Sequence, residues 1–213
     1  MSNTSSRDKI LNTVSSNQPA PRELPPLPEG TPVAAEDLTP LFISALEGIG
    51  AAAYIVSGFD RIATILHEQF PTARRVVSGC PPLVGFAEAA GVAKDTDPHL
   101  LEDVDLAILS AHFGVAENGA CWITETQMVE RVLPFIAQHL VLVIPRASLV
   151  PNMHAAYDRI AALDTAAPYG FATFIAGPSK TADIEQSLVL GAHGPMSLTV
   201  FLLDEHLSDA GYY

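Results

Sequence analysis

Apolar residues along this chain fall into two kinds of segment, short unbroken runs and longer stretches with a helical repeat. Phe59, Ile62, Leu66 and Phe70 recur at intervals of three and four, which predicts one face of a helix that ends before a proline. Start, stop and spacing signals predict further helices over 38–46, with Thr39 as its cap, and over 153–163. Short apolar runs that predict strands lie at 52–56, 75–78, 106–110, 120–124, 140–144, 172–176 and 197–203.

The order of these segments predicts the fold class. Strands that are almost wholly apolar and separated by amphipathic helices are typical of a mainly parallel sheet covered on both faces. Asn118-Gly119, between the runs 106–110 and 120–124, is a hairpin-type turn signal, so part of the sheet is expected to be antiparallel. We therefore predict an α/β fold with a mixed, mainly parallel sheet flanked by helices.

The N-terminal segment has a different composition. Residues 7–14 can form a short helix with Ile10, Leu11 and Val14 on one face. Six prolines follow between residues 19 and 32, and proline supplies no backbone N–H to a helix or a sheet. The sequence thus predicts a short helix and a proline-rich arm over 1–32, and a folded domain over 33–213.

Composition and charge narrow the classes of function. With 48% hydrophobic and 16% charged residues, the chain can build a large buried core. Eleven basic against 24 acidic side chains give a formal charge of −13, which disfavours nucleic acids and anionic membrane surfaces as partners. Apolar runs fall well below the ~20 residues of a spanning helix, and residues 1–18 lack an apolar export signal. A cytoplasmic location without membrane insertion is expected.

The two cysteines constrain redox chemistry. Cys80 and Cys121 lie far apart in the sequence and in no metal-ligand spacing. We therefore expect no disulfide scaffold, cysteine-type zinc site or iron–sulfur cluster held by this chain alone.

The first candidate site is the segment 177–185, Gly-Pro-Ser-Lys-Thr-Ala-Asp-Ile-Glu, which follows a predicted strand. Ligands of open α/β sheets collect at the carboxyl ends of strands, and free N–H groups at the start of a following helix would favour an anion. An alternative remains open, in which Thr181 caps that helix while Asp183 and Glu185 complement its dipole.

Two further turns carry chemically useful side chains. His193 lies between Gly191 and Gly194, and an exposed imidazole there can act as an acid, a base or a hydrogen-bond donor. Glu117 stands in the turn with Asn118-Gly119 and could be a base or a carboxylate nucleophile. Each turn is also explained by backbone geometry alone. A metal site built from His112, Glu117, Asp183, Glu185 and His193 lacks any known ligand spacing and is not favoured.

The segment 177–185 together with 188–195, Leu-Val-Leu-Gly-Ala-His-Gly-Pro, closely resembles the signature of the lactate-utilisation (LUD) domain family, LutC/YkgG type. The resemblance covers most of the chain, including the N-terminal helix, the proline-rich arm and the Ala-Glu-x-Gly segment at 116–119. It implies a fold similar to the NagB/RpiA/CoA-transferase group. It also implies a role in oxidising L-lactate to pyruvate, as a cluster-free subunit beside iron–sulfur partner proteins.

One departure from the family pattern concerns the turn at Glu117. Where members usually show Ala-Glu-Thr-Gly-Thr, this chain has Ala-Glu-Asn-Gly-Ala at 116–120, which removes two hydroxyls. Glu-Asn-Gly also resembles the turn that carries the catalytic glutamate of CoA-transferases with a related fold. That likeness keeps an acyl-glutamyl mechanism at Glu117 open.

The leading hypothesis is a LUD-domain protein that binds a small 2-hydroxy or 2-oxo acid in one cleft and holds no cofactor of its own. The residues assigned to catalysis are Glu117, Asp183 and His193, and those assigned to binding are Gly177, Ser179, Lys180, Thr181, Glu185 and Gly194. Two alternatives remain open: a stand-alone acyl- or CoA-transferase-like enzyme using Glu117, and a non-catalytic assembly or regulatory module whose arm docks a partner. A homo-oligomer also remains open.

Overall fold

The computed structural model describes residues 5–23, 37–83, 86, 88–89, 97–166, 169–184 and 187–204. The chain divides into two units, Met1–Pro32 and Val33–Tyr213. Much of the predicted proline-rich arm, residues 24–32, lies outside the described residues.

The first unit contains helix α1 (Ser6–Ser16), at the position that the apolar spacing predicts. A capping box stabilises its start: the Ser5 hydroxyl accepts from the Asp8 backbone N–H, and the Asp8 carboxylate accepts from that of Ser5. Ile10, Leu11 and Val14 share one face, and more than half of each side chain is exposed. Local capping rather than burial therefore stabilises this helix.

The second unit contains the described strands and the remaining helices. Its strands are β1 (Ala52–Val56), β2 (Val76–Ser78), β3 (Glu88–Ala89), β4 (Leu106–Ser110), β5 (Phe113–Val115), β6 (Ala120–Thr124), β7 (His139–Pro145), β8 (Ala172–Ile175), β9 (Lys180–Ile184), β10 (Ser187–Leu190) and β11 (Ser197–Leu203). Its α-helices are α2 (Thr39–Gly48), α3 (Phe59–Gln69), α4 (Glu125–Met128), α5 (Leu133–Ile136) and α6 (Met153–Ala166).

Three sheets organise these strands. The largest has six strands in the order β1-β11-β7-β4-β2-β3, and every neighbouring pair is parallel. A separate antiparallel sheet has the order β5-β6-β8, and β9 and β10 form a hairpin. The predicted mixed, mainly parallel α/β fold is confirmed, with the antiparallel strands in sheets of their own.

The parallel sheet is buried on both faces, as its unbroken apolar strands require. Alternate residues of β7 point to opposite sides: Val141 and Val143 pack with Ile62 and Leu66 of α3. Leu140, Leu142 and Ile144 lie in the other core, which includes Phe42 and Leu46 of α2 together with Cys121 and Ile123 of β6. A smaller core, with Phe113 and Trp122, forms between the three-stranded sheet and α6.

Three local predictions are wrong. The turn at Asn118-Gly119 joins β6 to β5, a short strand that was not predicted, whereas β4 lies in the parallel sheet. Residues 180–184 form a strand, so Thr181 caps no helix there. Thr39 does not cap α2 either: it is the first residue of the helix, Leu38 holds the N-cap position, and no side chain makes a capping hydrogen bond there.

Two expectations about the whole chain concern thiols and membranes. Cys80 and Cys121 are free and buried, and they lie in cores on opposite faces of the parallel sheet. Among the described residues, every helix is too short or too polar to cross a bilayer.

Candidate functional site

The loop after β8 begins with a glycine that its surroundings require. Gly177 has a φ of 76°, and a Cβ there would lie 3.1 Å from the carbonyl oxygen of Ile49. Both the left-handed backbone and the close approach favour glycine over any other residue. Pro178 is buried behind it. The loop is therefore held against the residue that follows α2.

Ser179 joins this loop to the turn that precedes β11. Its N–H donates to the Pro195 carbonyl at 2.8 Å, and its carbonyl accepts from the Gly191 N–H at 3.0 Å. Gly191 has a φ of 75°, and a Cβ on Gly194 would lie 3.2 Å from the Ser179 Cβ. The structure thus brings the predicted binding residues Gly177, Ser179 and Gly194 into one substructure, which we call the Ser179 cluster (residues 177–181 and 191–195).

His193 lies on the exposed side of the Ser179 cluster. No side-chain hydrogen bond connects its imidazole to any residue in the described part of the chain. Both ring nitrogens are therefore available to an incoming molecule, which a histidine in catalysis or ligand binding requires.

Lys180 and Thr181 open strand β9, where they pair with Leu190 and Val189. The Lys180 ammonium donates to the carbonyl of Ile49, just beyond the end of α2. Carbonyl groups at a helix C-terminus lack helical partners, and the helix dipole favours a cation there. In the structure the Lys180 ammonium is thus hydrogen-bonded to the backbone just after α2.

The two remaining residues of this segment are less informative. Asp183 lies within β9, so it is not in the first turn of a helix as the capping interpretation requires. Glu185 lies outside the described residues.

Glu117 is exposed in the turn between β5 and β6. Its Oε2 accepts from the Met153 N–H at 3.0 Å, at the first residue of α6. A carboxylate at this position satisfies an otherwise free donor and complements the helix dipole. The contact explains the choice of glutamate, which the turn geometry of Asn118-Gly119 left unexplained.

The Glu117 turn and the Ser179 cluster emerge at the same end of the three-stranded sheet. Cys121, the second residue of β6, pairs with Ile175, the last residue of β8. Both segments also pack on the end of α2, because a Cβ on Gly119 would lie 3.0 Å from the Leu46 nitrogen. Two of the three turns singled out in the sequence therefore lie against the end of α2, and the third is joined to them through Ser179, whereas the Glu117 carboxylate is directed to α6.

The position of this site relative to the parallel sheet differs from expectation. Ser197 begins β11 and pairs with His139, which begins β7. The turn before Ser197 therefore lies at the amino edge of the parallel sheet. The expectation of a carboxyl-edge loop is wrong because β8, which precedes Gly177, belongs to the antiparallel sheet.

His112 lies just beyond the carboxyl end of β4, and the sequence suggests it only as a member of the metal site that is not favoured. His112 Nε2 lies 3.0 Å from Thr124 Oγ1, which in turn lies 2.8 Å from Thr126 Oγ1. Burial, with a smaller contribution from the charge of Arg159, lowers the pKa of His112. Its place just after a strand was the available signal. Within the described residues, no group of three or more His, Cys, Asp or Glu side chains is arranged to hold a metal ion.

The six-stranded parallel sheet, the separate antiparallel sheet and the glycine turns joined through Ser179 define an α/β protein with a candidate small-molecule site. The chain belongs to the LUD domain family, whose family model matches residues 45–203.

Relatives with assigned names point in the same direction. The chain is 29% identical over 126 residues to a "Lactate utilization protein C" from Bacillus pumilus. The aligned residues cover 57% of this chain and 52% of the relative. It is 25% identical over 146 residues to one from Geobacillus thermodenitrificans, covering 68% and 57%. The chain thus spans about half the length of the curated relatives it matches.

A solved structure shows the same fold. A DUF162 family protein from Deinococcus radiodurans superposes with a TM-score of 0.57 at 17% sequence identity, covering 78% of this chain and 96% of that chain. At this identity the comparison establishes the fold alone.

Proposed function

We propose that this chain acts in lactate utilisation and binds a small 2-hydroxy or 2-oxo acid at the Ser179 cluster. Membership of the LUD family and the names of the relatives support the pathway. The observation that carries the site is the pair of backbone hydrogen bonds through Ser179, which fixes the loop bearing its hydroxyl beside the turn bearing His193.

The chemistry of the cluster suits such an acid. A 2-hydroxy acid presents a carboxylate and a neighbouring hydroxyl, and the Ser179 hydroxyl and the His193 imidazole can each hydrogen-bond one of them. Oxidation to the 2-oxo acid removes two electrons and two protons. We assign His193 to accept the hydroxyl proton, with Glu117, in the turn before β6, and Asp183, within β9, as the candidate acceptors of the proton from C2.

In this proposal an iron–sulfur partner protein receives the electrons. An iron–sulfur cluster is usually held by four thiolates. The two cysteines are buried on opposite faces of the sheet, and burial raises the pKa of each thiol to about 12. They therefore cannot jointly ligate a cluster, which supports placing the electron acceptor in another chain.

Thermal unfolding of the full chain with L-lactate, pyruvate, acetate and a sugar phosphate tests the proposal. Ligands of the folded state raise the unfolding midpoint with concentration, so lactate or pyruvate should raise it more than acetate does. His193→Gln and Ser179→Ala should each reduce this shift, whereas His99→Gln, an exposed histidine outside the cluster, should not. If no hydroxy or oxo acid raises the unfolding midpoint, the proposed site is wrong. It is also wrong if lactate raises the midpoint of His193→Gln as much as that of the wild type.

A further inference from the structure

A cavity lies on the α3 side of the parallel sheet, beyond the end of that helix. Its volume is about 320 Å³, within the range of small-molecule sites. Phe70 follows α3 on one side, and Val76 and Leu106, the first residues of β2 and β4, form the floor. None of the residues assigned to the Ser179 cluster lines this cavity.

Aromatic rings form its walls. Phe70 and Phe86 both line the cavity, together with His67. The His67 ring meets Phe86 edge-on, with centroids 5.0 Å apart and planes at 80°. Phe70 packs on His139, 4.8 Å between centroids, and the His139 Nδ1 lies 2.7 Å from the Ser197 hydroxyl. Contacts within the fold therefore hold the rings in place around a space that a flat apolar group could fill.

Arg74 supplies a positive charge at the same cavity. Its backbone N–H donates to Asp105 Oδ2 at 2.7 Å, and the neighbouring Arg75 N–H donates to the same oxygen at 3.1 Å. The Asp105 carboxylate is therefore engaged by the backbone, while the Arg75 guanidinium pairs with Asp103. The Asp105 carboxylate also interacts with the charge of the Arg74 guanidinium, but no carboxylate of the described residues lies within ion-pair distance of it, so its N–H donors are available to an anion.

We propose that this cavity binds a monocarboxylate that carries an aromatic ring, with the ring between Phe70 and Phe86 and the carboxylate on Arg74. His67 adds a polar ring to the same cavity. The site is separate from the Ser179 cluster and recognises the acid by its ring, without need of a 2-hydroxy or 2-oxo group.

Titration calorimetry of the full chain with 3-phenylpropanoate tests this proposal, because that probe has the ring and the carboxylate but no 2-oxygen. Saturable binding to one site is expected, and 3-phenylpropan-1-ol, which lacks the charge, should bind at least about tenfold more weakly. Arg74→Gln should weaken 3-phenylpropanoate by a similar factor. The matched control is Arg61→Gln, an exposed arginine on α3 outside the cavity, which should leave binding unchanged.

Two further variants separate this site from the proposed function. Phe70→Leu keeps apolar volume but removes the ring, and it should weaken the aromatic acid several-fold. His193→Gln should leave its binding unchanged, although the same variant should reduce the effect of lactate. The absence of saturable binding, equal affinity in Arg74→Gln, or a loss caused by His193→Gln would each overturn the proposal.

Discussion

At the scale of single residues, Arg146 connects parts of the domain that are far apart in sequence. It follows β7, and its guanidinium donates to Thr39 Oγ1 at 2.8 Å, to Asp37 Oδ2 at 2.6 Å and to Asp204 Oδ1 at 2.8 Å. Asp37 precedes α2 and Asp204 follows β11, so one side chain joins the first and last described residues of the second unit. Three charge-assisted hydrogen bonds from one planar guanidinium stabilise the fold more than isolated surface ion pairs do.

The Asp37 carboxylate gives this network a pH dependence. Hydrogen bonds from Thr39 and from the Arg146 guanidinium lower its pKa from 3.8 to about 2. A folded pKa below the unfolded one stabilises the fold above about pH 4, and that stabilisation is lost as the pH falls toward 2. Asp37→Asn should therefore lower the urea midpoint modestly at pH 7 and have little effect near pH 2. The control is Asp158→Asn, an exposed aspartate of α6, and an equal loss in both variants at pH 7 would contradict this account.

At the scale of elements, α6 and the turn at Glu117 depend on each other. The Asn152 Oδ1 accepts from the Ala155 N–H at 3.0 Å while the Glu117 carboxylate accepts from Met153, so two side chains cap one helix start. The Glu117 contact also fixes the turn between β5 and β6 against α6. A structural role for Glu117 is thereby established beside any chemical one.

Glu117→Gln separates these roles. If Glu117 only caps α6, the free energy of unfolding of the variant should fall by about 0.5–1 kcal/mol, because a neutral amide oxygen still accepts the hydrogen bond but interacts less with the helix dipole. Since this explanation accounts for the residue, we expect wild type incubated with an acyl-CoA to show no mass increase. Intact-mass measurement checks this. A mass increase on wild type that is absent from Glu117→Gln would instead support an acyl-glutamyl mechanism.

The strands that could be predicted are those with long apolar runs. Runs 52–56, 106–110, 120–124 and 197–203 match β1, β4, β6 and β11 residue for residue. In β4, β6 and β11, burial on both sides leaves no polar position to blur the ends. β5 was missed because it has three residues with glycine at the centre. The hairpin of β9 and β10 was missed because Thr181, Asp183 and Glu185 follow the local pattern of a capped helix.

The candidate site was predictable only in part, because its segments are distant from one another in the sequence. The glycines at 177 and 191 and the histidine at 193 could be selected by local chemistry. Their convergence depends on contacts distant in sequence, such as Ser179 with Pro195. No local pattern could show that β8 lies in the antiparallel sheet, which moved the site to the amino edge of the parallel one. The cavity at Arg74 combines α3 with the starts of β2 and β4 and has no sequence signature.

At the scale of the whole molecule, the parallel sheet separates two cores that share its strands. One contains α3 and Cys80, the other α2 and Cys121. Since β7 and β11 contribute alternate side chains to both cores, loss of packing on one face removes support from the other. We infer that the two cores unfold together.

The two cysteines report on this coupling. Burial raises the pKa of each thiol to about 12, so at pH 8 alkylation by iodoacetamide should be slower than that of a free thiol on the order of a thousandfold. With increasing urea, both thiols should become reactive over the same concentration range, as peptide mass mapping would show. Reaction of Cys80 at distinctly lower urea than Cys121 would show instead that the α3 face opens by itself. The cavity at Arg74 lies on the α3 face. In that case its ligand should slow the alkylation of Cys80 more than that of Cys121.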